Sequence, residues 1–263
     1  MESGEKHSPQ KIAIQAVNLG KRFEGFQAIR NISFSVKKGE IFGLLGPNGA
    51  GKTTCMKIFA GILLPTTGKA LITGIDVVEK PIISKSKIGF LPEYPALFEH
   101  ISGREFLTMM GKLRYMEKDD LDKRVQYFSR ILDLEEQIDF LIGTYSKGMR
   151  QKIAFMSAII HDPDILILDE PTTGLDPMFG KMVKDMIREL VKHDKTVLMS
   201  THLINVAESL CNRLAIINKG KITAIGTSEE LKARANTDDL ENAFINLVGG
   251  KLWDGTLYTQ KMR

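Results

Sequence analysis

The sequence predicts an α/β fold: a mainly parallel sheet, an antiparallel β subdomain at its N-terminal end and an inserted α-helical subdomain. Three observations predict it. Ile12–Val17 and Ile32–Val36 alternate apolar and polar residues, as half-buried antiparallel strands do. Ile165-Leu-Ile-Leu-Asp169 and Thr196-Val-Leu-Met-Ser200 are continuous apolar runs, the pattern of strands buried on both faces of a parallel sheet. Between these groups, from about residue 92 to 160, the apolar residues recur at helical spacing.

In chain order, residues 1–10 are polar and expected to be disordered. The two alternating strands follow, separated by Lys21-Arg22-Phe23-Glu24-Gly25-Phe26. Glu40-Ile-Phe-Gly-Leu-Leu45 is an apolar run of strand length, and GPNGAGKTT follows it at 46–54. That stretch matches G-x-x-x-x-G-K-[ST], the spacing of a loop that cradles a polyphosphate. Gly46, Gly49 and Gly51 free the backbone to turn its N–H groups inward, with Pro47, Asn48 and Ala50 between them. Lys52 would reach the β- and γ-phosphates and the Thr53 hydroxyl would bind Mg²⁺. Thr54 would open a helix whose N-terminus faces the anion, running to Ala60 and stopped by Pro65 and Thr66-Thr67-Gly68. A short strand reads Lys69–Thr73, and another Lys87–Leu91.

Pro92-Glu93-Tyr94-Pro95 then breaks the chain. Ser102-x-x-Glu105 is a capping box ahead of Phe106, Met109, Met110 and Leu113. Leu121, Val125, Phe128, Ile131 and Leu132 mark a second amphipathic helix, and both read as core-forming. After the Ile165–Asp169 strand, Met182, Val183, Met186, Ile187, Leu190 and Val191 give a covering helix. Arg213–Asn218 and Lys221–Gly226 read as a hairpin turning at Lys219-Gly220, and Thr227-x-x-Glu230 caps a short helix. Leu240, Ala243, Phe244, Leu247 and Val248 form a last apolar stripe, closed by Gly249-Gly250.

Composition narrows the function. With 263 residues, 43% hydrophobic and 26% charged, the chain can bury the core of one large domain. A net charge of +4 suits an anionic ligand or a nearby membrane surface and is too weak to predict a nucleic-acid partner. Cys55 and Cys211 match no metal spacing, which favours a reducing cytosol. No run of eighteen apolar residues occurs, so any membrane role is expected to be peripheral, on the cytoplasmic face.

Asp169 ends a buried strand, where a carboxylate can hold Mg²⁺, and Glu170 follows at once, placed to polarise an attacking water. A GTPase would need N-K-x-D, and Asn218-Lys219-Gly220-Lys221 fails at its last position. Here the chain resembles the nucleotide-binding subunits of ATP-binding cassette (ABC) transporters, over residues 11 to about 235. GPNGAGKTT resembles Walker A, and Ile165–Glu170 resembles Walker B with its catalytic glutamate. Tyr145-Ser-Lys-Gly-Met149 stands where the family carries LSGGQ; Gly174-Leu-Asp176-Pro177 resembles the D-loop and Ser200-Thr201-His202 the switch region.

The resemblance implies a P-loop NTPase core, with residues 92–160 as the helical subdomain and 236–263 as a C-terminal helical extension of the exporter-type subgroup. It implies that Ser146 and Gly148 touch the γ-phosphate of ATP held by a second copy or a related ATPase subunit, and that Asp176 acts in the D-loop. Lys52, Glu170 and His202 would be catalytic, and Phe23 would stack on adenine, Phe26 being a poorer candidate. Asp169 and Thr53 would hold Mg²⁺. Glu93 stands where the family has a glutamine that helps bind the metal, and Lys147 replaces the signature's first glycine. The other histidines, His7, His100, His161 and His193, have no such context. The implied function is hydrolysis of ATP by a head-to-tail dimer that powers export through a separate membrane-spanning permease, without nucleic acid. The alternative is a soluble or regulatory ABC ATPase not engaged in transport.

Overall fold

The structure, a computed structural model, describes residues 11–249; the expected tail at 1–10 and the end of the C-terminal extension lie outside the described residues. β1 (Ile12–Phe23) and β2 (Phe26–Lys37) form a hairpin turning at Glu24-Gly25, with Phe23 opposite Phe26. Both strands run further than the alternation predicts, so residues 21–23 and 26 are strand. Register shifts around Leu19 and Lys21 break the period of two there and hide the strand from a pattern reading.

β3 (Ile41–Leu45) is buried throughout and leads into the 46–51 loop and α1 (Lys52–Phe59). The helix starts two residues earlier than predicted and stops well before Pro65; Thr67 and Gly68 instead open β4 (Thr67–Ile72), which pairs with β5 (Ile75–Asp76). α2 (Pro81–Ser86) has no sequence forecast, because it is only six residues long and exposes Ile82 and Ile83, leaving no buried stripe to read. β6 (Ile88–Leu91) follows.

Three helices occupy the next seventy residues: α3 (Gly103–Lys112), α4 (Lys118–Ile131) and α5 (Lys147–Ile159). The capping box forms, with Ser102 Oγ accepting from Glu105 N–H and the Glu105 carboxylate accepting from Ser102 N–H. Phe106, Leu121, Val125 and Leu132 are buried as expected, and so is Leu107, which the spacing did not pick out, whereas Leu113 is 66% exposed and Ile131 38%. β7 (Ile165–Asp169), α6 (Pro177–Lys192), β8 (Thr196–Thr201), α7 (Ile204–Leu210), β9 (Arg213–Asn218), β10 (Lys221–Gly226), α8 (Ser228–Arg234) and α9 (Leu240–Val248) complete the described chain.

The first sheet is antiparallel, in the order β2-β1-β4-β5; the second runs β10-β9-β3-β8-β7-β6 and is parallel except for the β9–β10 hairpin. One face of the parallel sheet packs on α1 and the antiparallel sheet, where Phe34 of β2 stacks on Phe42 of β3 at 5.4 Å and meets Phe59 of α1 edge-on at 5.8 Å. The other face packs on α5, α6 and α7 through Phe155, Val183, Ile187 and Val206. α8 and α9 close the β9–β10 end, with Leu231 and Leu240 of the helices in one cluster with Leu214, Ile216 and Ala224 of the strands. Among the described residues no helix is long and apolar enough to cross a membrane.

Parallel register positions the site. Leu45 pairs with Thr201, Asp169 with Ser200, and Leu91 with Leu168. The C-terminal ends of four neighbouring strands therefore lie level, and the segments leaving them are the 46–54 loop, Pro92-Glu93, Asp169-Glu170 and His202. In parallel α/β sheets that edge is where ligands bind.

Candidate active site

The loop at 46–51 is fastened on its outer side by the β9–β10 turn. Gly220 N–H donates to Ala50 O at 2.9 Å, and Arg30 N–H of β2 donates to Gly220 O at 2.7 Å. Gly51 is the position where this clamp demands glycine: its φ is 107°, and a Cβ there would lie 2.5 Å from Ala28 O.

Lys52 is 5% exposed, and its Nζ donates to Gly46 O at 2.8 Å and Pro47 O at 3.3 Å. The same ammonium stands 3.3 Å from Glu170 Oε1, an ion pair without hydrogen-bond alignment. Glu170 occupies the left-handed region, with φ 52°, a conformation that costs a non-glycine residue energy and turns its side chain toward the loop. Its backbone is held there by Ser200, whose Oγ accepts from Glu170 N–H at 3.0 Å. The second carboxylate oxygen, Oε2, accepts from His202 Nδ1 and from Thr173 Oγ1, each at 3.0 Å. An ionised carboxylate only accepts, so the proton of His202 sits on Nδ1 and Nε2 points away from the pair. Burial pushes the Glu170 carboxyl up, but the His202 hydrogen bond and the Lys52 charge outweigh it and hold the group below the usual carboxylate range.

Asp169 is 1% exposed. Ser200 Oγ donates to its Oδ1 at 2.5 Å, while Oδ2 is buried with no hydrogen-bond partner among the described residues. Burial raises this carboxyl above its ordinary value despite the opposing pull of the Ser200 and Thr53 hydroxyls, and the nearby Glu93 and Glu170 charges add to the rise. An orphaned, buried carboxylate oxygen beside a phosphate loop fits a divalent cation, whose charge would reverse that rise.

One cavity along the loop is lined by Phe26, Ala28, residues 48–54, Glu93, Tyr94 and Glu170. Glu93 therefore faces the site, where the register of β6 puts it. Of the two candidate rings, Phe26 lines this cavity. Phe23 lies beside it across the hairpin, 42% exposed, with the Lys21 ammonium 5.0 Å from its centre. Ser146 and Gly148 are not brought to the loop. Ser146 is exposed as the N-cap of α5, where its Oγ accepts from Met149 N–H at 3.3 Å. Asp176 caps α6, accepting from Met178 and Phe179 N–H at 3.0 and 2.9 Å.

Sequence reasoning assigned nothing to Thr173 and gave Ser200 only a place in a motif. Ser200 binds both acids because its strand is in register with β7, a pairing that no local pattern displays.

The comparisons with known proteins identify the family. A family model described as "ABC transporter" matches residues 29–173. The ABC transporter ATP-binding protein NatA of Bacillus subtilis (strain 168) is 34% identical over 243 residues, 90% of this chain and 99% of that one. The daunorubicin/doxorubicin resistance ATP-binding protein DrrA of Streptomyces peucetius is 36% identical over 228 residues, 87% of this chain and 69% of that one. Among solved structures, an ATP-binding cassette in a dimeric post-hydrolysis state bound to ADP and Pi is 26% identical, with a TM-score of 0.75 over 81% of this chain and 98% of that one. A phosphate loop, two acids and a histidine gathered at one strand edge, with these likenesses beside them, make the chain a member of the ABC transporter family, an ABC-type ATPase subunit.

Proposed function

We propose that this ATPase acts as a head-to-tail dimer around two Mg-ATP and drives export through a separate membrane-spanning permease, at the cytoplasmic face of the membrane. The observation that carries it is that one chain holds the two halves of a phosphate site apart. Lys52, Thr53 and Glu170 line the loop cavity, whereas Ser146 and Gly148 face outward from α5. A second copy, reversed, would set its Ser146 against the first copy's loop. The dimeric state of the solved ATP-binding cassette supports the arrangement.

In this reading the loop N–H groups and Lys52 hold the phosphates, and Thr53 and Asp169 would hold Mg²⁺, which would supply charge neutralisation there. Glu93 adds a third carboxylate at that edge. The ammonium of Lys52 leaves Glu170 for the γ-phosphate, freeing Oε1. That oxygen then accepts a proton from the attacking water, while His202 and Thr173 keep Oε2 fixed. The ring of Phe23 stacks on adenine, and Asp176 belongs to the segment facing the partner copy.

Export has one support, and coupling to a permease another. DrrA is named for drug resistance. The chain also exposes apolar side chains near Glu93, suited to a permease helix: Tyr94 is 83% exposed and Phe98 58%. Further on, Leu113 and Tyr115 are exposed at the end of α3, which is tied to α2 and its Ile82 and Ile83 by the Arg114 guanidinium donating to Lys85 O.

Glu170→Gln tests the core of the reading. It should keep ATP binding, lower phosphate release about 10²–10⁴-fold, and elute as a dimer with ATP on a sizing column. Turnover near wild type would place the base elsewhere. Membrane co-purification of tagged wild-type protein should bring down the permease.

A further inference from the structure

Arg150 stands in the first turn of α5, where its N–H donates to Ser146 O at 3.0 Å. Its guanidinium turns back over the loop that leads into the helix. Nε donates to Tyr145 O at 3.3 Å and Nη2 to Gly143 O at 3.2 Å, while Nη1 donates to Glu99 Oε1 at 2.6 Å. Three nitrogens of one planar fork thus hold three acceptors at once, which the single point of a lysine could not do. A cation in the first turn of a helix is disfavoured by the dipole, and α5 has no acid there to offset it. The offset comes from Glu99, whose carboxyl the Arg150 hydrogen bond holds below its ordinary range.

The backbone repeats the same connection. Gly143 N–H donates to Glu99 O and Ile142 N–H to Ile101 O, each at 2.9 Å, and Ser102 bridges Leu141 in antiparallel fashion. Residues 99–102 therefore run beside 141–143. The first of these stretches continues the segment that leaves the site at Glu93 and carries Phe98; the second runs on to Ser146. The side chains of Arg150 and Glu99 are 33% and 56% exposed, and an ion pair so open to water contributes little to the stability of the fold. What its geometry does fix is the position of the 143–146 loop.

We propose that Arg150 is a positioning residue for dimerisation. By clasping Glu99 and the carbonyls of Gly143 and Tyr145, it holds Ser146 and the segment from Glu93 to Glu99 as one unit. The face offered to a second copy is then set before that copy arrives. Arg150 touches no nucleotide and acts only through the loop. This rests on the head-to-tail reading above.

The experiment uses the full chain carrying Glu170→Gln, with ATP affinity measured on dilute monomer and dimerisation at saturating ATP followed by sedimentation. Adding Arg150→Ala should weaken dimerisation about tenfold, the loss of a charge-assisted clasp, and leave the monomer's ATP affinity unchanged. Arg150→Lys should recover less than half of the loss. Glu99→Ala, an exposed loop substitution, should weaken dimerisation several-fold by itself and add nothing on top of Arg150→Ala, because the pair acts as a unit. It also carries the test alone if Arg150→Ala fails to fold. Dimerisation that is unchanged in the folded variants, or losses from Glu99→Ala and Arg150→Ala that simply add, overturns the proposal and leaves the head-to-tail reading standing. A matching loss of ATP affinity in the monomer overturns it too, since the effect would then be on the fold. If the Glu170→Gln parent stays monomeric at every ATP concentration, the head-to-tail reading fails and the role of Arg150 falls with it.

Discussion

At the scale of single residues, the proposed chemistry centres on Glu170, whose two oxygens have separate partners. Oε2 is tied to His202 and Thr173, and Oε1 shares the Lys52 ammonium. The group acts as a base only when deprotonated, so hydrolysis should be lost as pH falls through its carboxyl pKa, which lies below the usual range. His202→Ala removes the strongest of the lowering influences and leaves burial to push the carboxyl up. The acidic limb of the pH–rate profile should then move to higher pH, not lower; a limb that stays put would mean that His202 serves the phosphate alone. The two rings at the β1–β2 turn allow an equally direct measurement. Phe23→Ala should weaken ATP binding by about 1–3 kcal/mol if its face carries the base, with Phe26→Ala smaller. The reverse order, read by titration calorimetry, would assign adenine to Phe26, which already lines the cavity.

At the scale of elements, what matters is how closely α5 approaches the edge of the sheet. A Cβ on Gly89 of β6 would lie 1.9 Å from Ala158 O of α5, with Leu166 and Pro163 at 2.9 Å. The nearest obstacle is backbone, so it cannot rotate away. Gly89→Ala should therefore cost about 1–3 kcal/mol or more, read as a lower urea midpoint with the slope unchanged. The strand it strains also delivers Glu93, so ATPase activity should fall even in the folded fraction. An alanine variant as stable as wild type would mean that α5 can slide along β6. The helix caps are a gentler device: the boxes at Ser102/Glu105 and Thr227/Glu230 satisfy N-terminal donors with side chains that the sequence itself specifies.

At the scale of the whole molecule, the proposed dimer would join what the fold of one chain keeps apart. Lys52 and Ser146 belong to different faces of one chain, so defects in them should complement each other. Lys52→Ala and Ser146→Arg should each be inactive as homodimers, since both sites of each are damaged. Mixed, they form heterodimers with one site that pairs an intact Lys52 with an intact Ser146. Phosphate release should return to a fraction of wild type, at most one functional site per dimer. Wild-type activity linear in protein concentration down to the lowest measurable level, with no ATP-dependent dimer, is the result that would sink the composite site.

How much of this was written in the chain depends on range. The 46–54 loop, the buried strand ending in Asp169-Glu170, both capping boxes and the hairpin at Lys219-Gly220 are legible because each is a short run whose residue types act on their near neighbours. α2 and the full length of β1 and β2 were not, because a short exposed helix and bulged strands break the periods on which such reading depends. Nor could the sequence show that Ser200 holds both acids or that Thr173 and His202 share one oxygen of Glu170. Those pairs are set by the register of parallel strands whose partners are distant in sequence. The sequence by itself determined the family motifs and which groups are proposed to meet a phosphate; only the tertiary structure decided which of them already hold one another, because hydrogen bonds form between neighbours in space, whatever their separation along the chain.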